Sequence, residues 1–240
     1  MPTECLFRDD AYLQECSATL VGVTAQGGLV LDRTVFYGTS GGQPGDRGAL
    51  TSPAGAAIAI ESAVFTDLAK SEIAHLPAGA APLSIGDKVH AVIDWTQRYA
   101  RMRMHTALHL LSAILPYPVT GGSVGDAESR LDFDIPEAGL DKAAIDEQLA
   151  KMIAADAEVK IRWIRDEELA ANPGLVKTMS VKPPMGSGRV RLIEIEGLDL
   201  QPCGGTHVRA TGEIGPIAVT GIEKKGKLNR RVRIALVPVH

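Results

Sequence analysis

Two histidines lie four residues apart in the apolar stretch MRMHTALHLLSAIL, residues 102–115. In a helix, His105 and His109 would project from one side, one turn apart. Burying two like-charged imidazoles together is unfavourable, whereas the neutral imidazole is a common metal ligand. The spacing therefore indicates either two core histidines or half of a metal site.

A second pair with the same spacing lies near the other end of the chain. QPCGGTHVRATGEIGP places Cys203 and His207 four residues apart, and Gly204 and Gly205 are expected to let the backbone turn tightly between them. Thiolate and imidazole ligands together suit zinc. The two pairs predict one Zn²⁺ per chain, bound by His105, His109, Cys203 and His207.

The first pair requires a buried helix with one polar side. We predict this helix from about Thr96 to Leu115, because apolar residues recur at helical spacing and prolines follow. Four residues share its polar side: Arg101, His105, His109 and Ser112.

The chain divides into two parts by its pattern of predicted strands and helices. Residues 1–93 contain short strand-like segments separated by glycine and proline, which predicts a small antiparallel β-barrel. Residues 94–240 mix helices with antiparallel strands and contain all four zinc ligands. We therefore predict an α+β protein in which a β-barrel domain precedes an α+β zinc-binding domain.

Composition places the chain among ordinary globular proteins. It has 240 residues, of which 45% are hydrophobic and 22% charged. No apolar run is long enough to cross a bilayer and no signal-peptide core is present, so a cytoplasmic protein without a membrane partner is expected. The three cysteines, Cys5, Cys16 and Cys203, do not form a disulfide pattern.

Basic residues are concentrated at the carboxyl terminus although the formal net charge is −4. GIEKKGKLNRRVRIALVPVH has one acidic residue, Glu223, among its basic ones. Such a segment is either a solvated surface or a site for a phosphate backbone. The candidate residues for such phosphate contacts are Lys224, Lys225, Lys227, Arg230 and Arg231.

HTALH, followed by CGGTHVRATGEIGPI, resembles the editing domain of alanyl-tRNA synthetase and, still more closely, the free-standing AlaX-type alanyl-tRNA editing proteins. LDRTVFYGTSGGQPGDRG resembles the glycine-rich barrel segment that precedes this domain in the synthetases and in medium-length AlaX proteins. The resemblance covers nearly the whole chain. It implies a zinc-dependent aminoacyl-tRNA deacylase that removes serine, and more weakly glycine, from mischarged tRNA(Ala).

The chain departs from the family pattern at two positions. Gly38 stands where the barrel segment often has proline, which is expected to alter only a turn. Thr120 lies three residues before Ser123, where synthetase editing domains commonly have glutamine. TGGSVGD is accordingly either a hairpin turn or a wall of the substrate pocket, with Thr120 and Ser123 as candidate substrate-binding residues.

Two further segments have both a chemical and a structural interpretation. Thr106 follows the first histidine where a metallopeptidase helix carries glutamate, and its hydroxyl could bind substrate or water, or bond the helix backbone. In SGGQPGD, Gln43 is a candidate catalytic residue and Gly41 and Gly42 candidate substrate-binding residues. The same letters form a good turn.

Four protein ligands are typical of a closed zinc site, which favours a zinc that anchors substrate over one that activates water. Two other functions stay open at this stage. One is editing of seryl-tRNA(Thr), and the other is a zinc-stabilised tRNA-binding module without turnover. We expect the barrel to assist tRNA specificity and the zinc-binding part to carry the hydrolysis.

Overall fold

The computed structural model describes residues 2–136, 139–178 and 188–237. It divides into two compact units, Met1–Tyr99 and Ala100–His240. The α+β class and the barrel near the amino terminus are confirmed. The division between the two units falls within the first helix, and the boundary between residues 93 and 94 stays a prediction from the sequence.

The first unit is built from short strands. In the described part of the chain they are β1 (Glu4–Cys5), β2 (Glu15–Val23), β3 (Leu29–Leu31), β4 (Arg33–Thr34), β5 (Gly48–Thr51), β6 (Ala57–Phe65), β7 (Ile73–Pro77) and β8 (Lys88–Ile93). Six close a barrel in the order β2-β3-β7-β6-β5-β8, and β1 pairs with β4 in parallel. Alternation along β6 directs Ile58 and Ile60 into the barrel core.

Helix α1 (Trp95–Ile114) runs from the first unit into the second. It matches the predicted helix to within one residue at each end, because the apolar period continues up to Pro116. At its start, Arg98 is fully buried within the first unit and forms an ion pair with Asp46. Among the residues described, no helix is both long and apolar enough for a membrane span.

Within its described residues, the second unit contains two sheets and two further α-helices. Its elements are β9 (Val119–Ser123), β10 (Glu128–Asp134), α2 (Lys142–Ala154), β11 (Val159–Arg165), α3 (Asp166–Ala171), β12 (Arg189–Ile195), β13 (Asp199–Pro202), β14 (Ile217–Lys224) and β15 (Asn229–Leu236). One sheet has the order β14-β15-β10-β9 and the other β11-β12-β13. The segment TGGSVGD forms the end of β9 and the connection to β10, which is the hairpin alternative.

Helix α2 is held by a cap at its amino terminus and by the burial of its apolar side. Asp141 caps its amino terminus by accepting hydrogen bonds from the backbone amides of Ala143 and Ala144. Ile145 and Leu149 are buried. These two residues lie one helical turn apart, so they form one apolar side of the helix.

Candidate metal centre

Four side chains of the second unit converge where the sequence predicted a zinc site. One ligand atom from each of His105, His109, Cys203 and His207 lies within 4.8 Å of the other three. Cys203 Sγ is 3.6 Å from His105 Nε2 and 3.3 Å from His207 Nε2. Zinc bonded tetrahedrally to sulfur and nitrogen separates its ligand atoms by about 3.6 Å. The four residues therefore fit a single zinc ion in both ligand type and spacing.

At Cys203 and His207, charge and burial favour the protonation states that bind metal. Burial raises the pKa of Cys203, but the charges of His105 and His207 outweigh it and hold this pKa well below the usual value. Burial, together with His105, lowers the pKa of His207 well below the usual value. A thiolate and a neutral imidazole are the ligating forms, so the electrostatics suit a cation at this point. At His109, burial lowers the pKa, but the hydrogen bonds to Asp199 and Cys203 raise it to about 9, so a metal ion must displace a proton there.

His109 is oriented by a buried carboxylate. Its Nδ1 donates a hydrogen bond to Asp199 Oδ2 at 3.0 Å, which directs Nε2 towards the other ligands. Gln201 Nε2 donates to the same oxygen at 2.7 Å, and Lys177 Nζ lies 2.6 Å from Asp199 Oδ1. Burial raises the pKa of Asp199, but the bonds to His109 and Lys177 lower it to about 2. The carboxylate is thus held charged behind the metal ligand.

His207 is oriented by Thr106. His207 Nδ1 lies 3.1 Å from Thr106 Oγ1, and that hydroxyl also bonds the carbonyl of Met102 at 2.9 Å. The backbone amide of Val208 donates to Thr106 Oγ1 at 3.3 Å. Thr106 is fully buried, so its hydroxyl serves the helix backbone and a ligand. Of the two interpretations of Thr106, these contacts match the one in which its hydroxyl bonds the helix backbone. Thr106 also positions the ring of His207.

The loop between the second ligand pair is held by hydrogen bonds. Gly205 N lies 3.4 Å from Cys203 Sγ, and Arg191 Nη1 donates to the carbonyls of both residues at 2.8 and 3.0 Å. Neither Gly204 nor Gly205 has a positive φ. The tight turn expected from these glycines is therefore made with ordinary backbone angles, and Arg191 supplies the restraint.

The predicted polar side of α1 is buried along its length. Arg101, His105, His109 and Ser112 are all at most 8% exposed. Arg101 Nε donates to Asp126 Oδ1 at 2.6 Å, which attaches the β9–β10 turn to the helix one turn before His105. The polar side of α1 therefore contacts four residues of the second unit: Asp126, Cys203, Asp199 and Gln201.

The candidate substrate residues of TGGSVGD lie on β9. Thr120 Oγ1 donates to the carbonyl of Asp132 at 3.1 Å and accepts from Asn229 Nδ2 at 2.9 Å. Ser123 is exposed at the end of the strand. At the other end, Val119 N donates to the carbonyl of Lys177 at 2.9 Å. Through Lys177, the start of β9 is connected to the carboxylate that orients His109.

The glycine-rich segment belongs to the first unit and forms a tight turn. Ser40 and Gln43 exchange backbone hydrogen bonds of 3.0 and 2.9 Å around Gly41 and Gly42. Both glycines have positive φ, +57° and +82°, as such two-residue turns require. The glycines are exposed at the tip, whereas Gln43 is fully buried. SGGQPGD therefore has the backbone contacts of a turn, which is the structural one of its two interpretations.

The candidate tRNA-binding residues differ in how much charge they present. Arg231 Nε and Nη2 lie 2.8 and 2.9 Å from the two carboxylate oxygens of Asp132, and Lys225 lies 2.6 Å from Glu223. Arg230 is 8% exposed. Lys224 and Lys227 are exposed at the β14–β15 connection. Of the five candidates, the lysines of the turn present the most accessible charge.

Sequence reasoning missed the residues behind the ligands. Asp199 and Gln201 precede Cys203 at two-residue intervals on β13, so the three side chains project from one face. That alternation was visible in DLQPC. The short strand itself was not predicted, because it contains a proline and only four residues.

Comparison with known proteins agrees with this architecture. Residues 190–233 match the family described as the threonyl and alanyl tRNA synthetase second additional domain, and residues 8–97 match class II (A) tRNA synthetases. An alanyl-tRNA editing protein AlaX-M from Methanosarcina mazei is 36% identical over 246 residues, covering 98% of this chain and 97% of that protein. AlaX-M from Saccharolobus solfataricus is 32% identical, covering 98% and 100%.

A synthetase matches the chain over only part of the synthetase's own length. An alanine–tRNA ligase from Pyrobaculum aerophilum is 33% identical over 236 residues, which cover 92% of this chain and 25% of the ligase. The AlaX-M proteins, by contrast, match from end to end and have the same length range. The chain belongs to the family of alanyl-tRNA editing proteins.

Proposed function

We propose that this protein hydrolyses the ester between a wrongly attached amino acid and tRNA(Ala), acting chiefly on seryl-tRNA(Ala) and more weakly on glycyl-tRNA(Ala). The observation that carries the proposal is the convergence of His105, His109, Cys203 and His207 in a chain that matches alanyl-tRNA editing proteins over its full length. The substrate is a mischarged tRNA and the reaction is a carboxylic ester hydrolysis.

The four ligands would hold one zinc ion, which supplies a Lewis acid or an anchor for the substrate when bound. The protein's own contribution is to fix these ligands. Asp199 holds the Nδ1 proton of His109, and Thr106 contacts Nδ1 of His207, so both imidazoles present Nε2. An ester is already activated, so placing it correctly is a large part of the catalysis.

Discrimination between serine and alanine requires a second site. A synthetase pocket that accepts alanine cannot strongly reject serine, because one small group changes binding by only about 1–3 kcal/mol. An editing site can instead demand a hydroxyl. A buried polar group left unpaired by alanine costs about 1–3 kcal/mol. Thr120 and Ser123 on β9 are the proposed contacts of that hydroxyl, since Thr106 is buried behind His207. Thr120 would exchange one of its hydrogen bonds, to Asp132 or Asn229, for one to serine.

The barrel and the basic strands have roles in tRNA binding in this proposal. We assign tRNA specificity to the barrel of residues 1–93, with Gly41, Gly42 and Gln43 shaping a substrate-proximal loop. The hydrolysis is assigned to residues 94–240. The lysines at the β14–β15 connection, Lys224 and Lys227, are exposed and suited to phosphate contact.

The test is a deacylation series on one preparation. Alanine tRNA would carry serine, glycine or alanine in turn, and threonine tRNA would carry serine. We expect the fastest loss from seryl-tRNA(Ala), slower loss from glycyl-tRNA(Ala), and little from alanyl-tRNA(Ala). A chelator should abolish the reaction, and Cys203→Ala serves as the matched inactive variant.

Two outcomes of this series favour other functions. The matching family is described for both threonyl and alanyl synthetases, so preference for seryl-tRNA(Thr) would assign the protein to threonine editing. Retention of tRNA without any loss of ester would indicate a zinc-stabilised binding module. Faster release of alanine than of serine would refute proofreading altogether.

A further inference from the structure

An exposed tryptophan stands on the edge strand β11. Trp163 is 39% exposed, and the guanidinium carbon of Arg189 lies 4.6 Å from its ring centroid. The neighbouring Ile161 on the same face is 37% exposed. The chain has only two tryptophans, so a large aromatic ring left open to solvent beside a cation is notable. An aromatic face paired with arginine is the arrangement on which nucleobases stack.

Strand register places this ring on the face that carries the metal ligands. Trp163 is paired with Arg191 on β12, and Cys203 N donates to the carbonyl of Arg191. The three residues therefore form one row across the sheet, with Trp163 two strand spacings, about 10 Å, from Cys203. Ile161 is paired with Ile193, and Ile193 with Gln201, whose side chain reaches Asp199 and Ser112. Directly paired residues project from the same face.

Two arginines lie beside the exposed ring on its face of the sheet. Arg165 and Arg189 are paired across β11 and β12 and lie on the face of Trp163. Glu194 lies on the opposite face, where it forms an ion pair with Arg162. The strand positions next to the exposed ring are thus apolar or cationic, which suits a base with its phosphate. Arg165 Nε also lies 3.2 Å from Glu168 Oε1, an exposed ion pair that a phosphate would replace.

We propose that Trp163 and Arg189 form a stacking platform for the terminal nucleobase of the tRNA acceptor end, with Arg165 beside the adjoining phosphate. The inference rests on the proposed function, because it is the aminoacylated ribose that must reach the metal ligands. The terminal base is attached to that same ribose. Trp163 lies in the same row of the sheet as Cys203, two strands away. A platform at this position would hold the base while the ester lies at the metal ligands.

The first measurement is a KM and kcat comparison on a seryl-acceptor-stem substrate. Trp163→Ala should raise KM about 5- to 150-fold with little change in kcat, because base stacking on an aromatic ring contributes that much affinity. Trp163→Phe should recover most of the loss. Arg162→Ala, on the same strand but the opposite face, is the matched control and should behave as wild type. Zinc content should be equal in all four proteins.

The second measurement removes the base instead of the ring. A substrate whose terminal residue is abasic should bind wild type as weakly as the normal substrate binds Trp163→Ala, and combining the two changes should cost nothing further. Penalties that multiply, or an unchanged KM in Trp163→Ala, would overturn the proposal.

A binding readout separates this inference from the deacylase proposal. In Trp95→Phe protein, Trp163 is the only tryptophan, and its fluorescence should be quenched by an uncharged acceptor stem but not by the abasic one. Quenching without hydrolysis of any mischarged tRNA would contradict the function and support the platform. Hydrolysis without quenching would contradict the platform alone.

Discussion

Asp199 accepts a hydrogen bond of 3.0 Å from His109 Nδ1. Asp199 lies on β13, ninety residues further along the chain than His109. The Asp199 side chain is 1% exposed, and its carboxylate is also bonded by Lys177 and Gln201. A ligand histidine held in this way has its tautomer and ring orientation fixed before metal arrives. The strength of metal binding should therefore depend on a residue that is not a ligand.

Replacing Asp199 by asparagine should weaken zinc binding about 10- to 100-fold, because the charged partner of the imidazole is lost. Competition with a chromophoric chelator measures the affinity directly, without reference to activity. Glu194→Gln is the matched control, since Glu194 lies on the opposite face of the same sheet. Equal affinities in Asp199→Asn and wild type would remove Asp199 from the metal site.

Zinc content should be one ion per chain and should depend on Cys203. Elemental analysis of Cys203→Ala should show its loss, because a thiolate is the strongest zinc ligand of the set. Cys16→Ala removes a half-buried thiol from strand β2 of the first unit and should leave zinc content unchanged. Zinc that persists in Cys203→Ala, or is absent from folded wild type, would contradict the proposed ligand set.

Charge reversal at the β14–β15 connection should weaken tRNA binding. Lys224→Glu with Lys227→Glu should reduce the slope of log affinity against log salt by about 2, one for each phosphate contact. Lys151→Glu changes an exposed charge on α2 and serves as control. Arg231 is the poorer choice, since its loss would leave Asp132 without its bidentate partner. A salt slope identical to that of the wild type would indicate that this segment is a solvated surface without phosphate contacts.

His75 should make the barrel sensitive to acid. It is fully buried between Thr34 and the carbonyl of Leu29, and burial lowers its pKa to about 4. The unfolded chain takes up this proton near pH 6.5, so stability is full above that pH and falls as pH drops towards 4. The loss attributable to His75 is about 3 kcal/mol.

Denaturant titrations of wild type and His75→Gln at pH 7 and pH 5 measure this contribution. Acid weakens metal binding equally in both proteins, so the difference between their pH responses isolates His75. The variant should be less stable at pH 7 and lose less stability on acidification. An identical pH response, or a ring that titrates above pH 6 by NMR, would show that His75 is not held neutral.

Elements with a long apolar period were predictable from sequence, and short irregular ones were not. Helix α1 was found because twenty residues repeat one pattern before Pro116. Strand β5, GALT, offers four residues and a glycine, and its place in the barrel is decided by pairing with β6 and β8. Helix α3 has six residues and likewise gives little periodic signal.

The candidate site shows the same division. Ligand identity and spacing predicted the cluster of His105, His109, Cys203 and His207. The residues that hold the ligands could not be assigned, because their role depends on register between β12 and β13 and on where α1 crosses that sheet. Thr106 illustrates the point, since only the buried geometry decides between substrate contact and support of His207.

His105 and Cys203 are 98 positions apart in the chain. An ion shared by them would act as a cross-link that closes a loop of this length. In the chain-entropy treatment of cross-links, closing a loop of that size removes about 5 kcal/mol of freedom from the unfolded state. The metal would thus stabilise the second unit against unfolding, so that removing it should lower the free energy of unfolding as well as the activity.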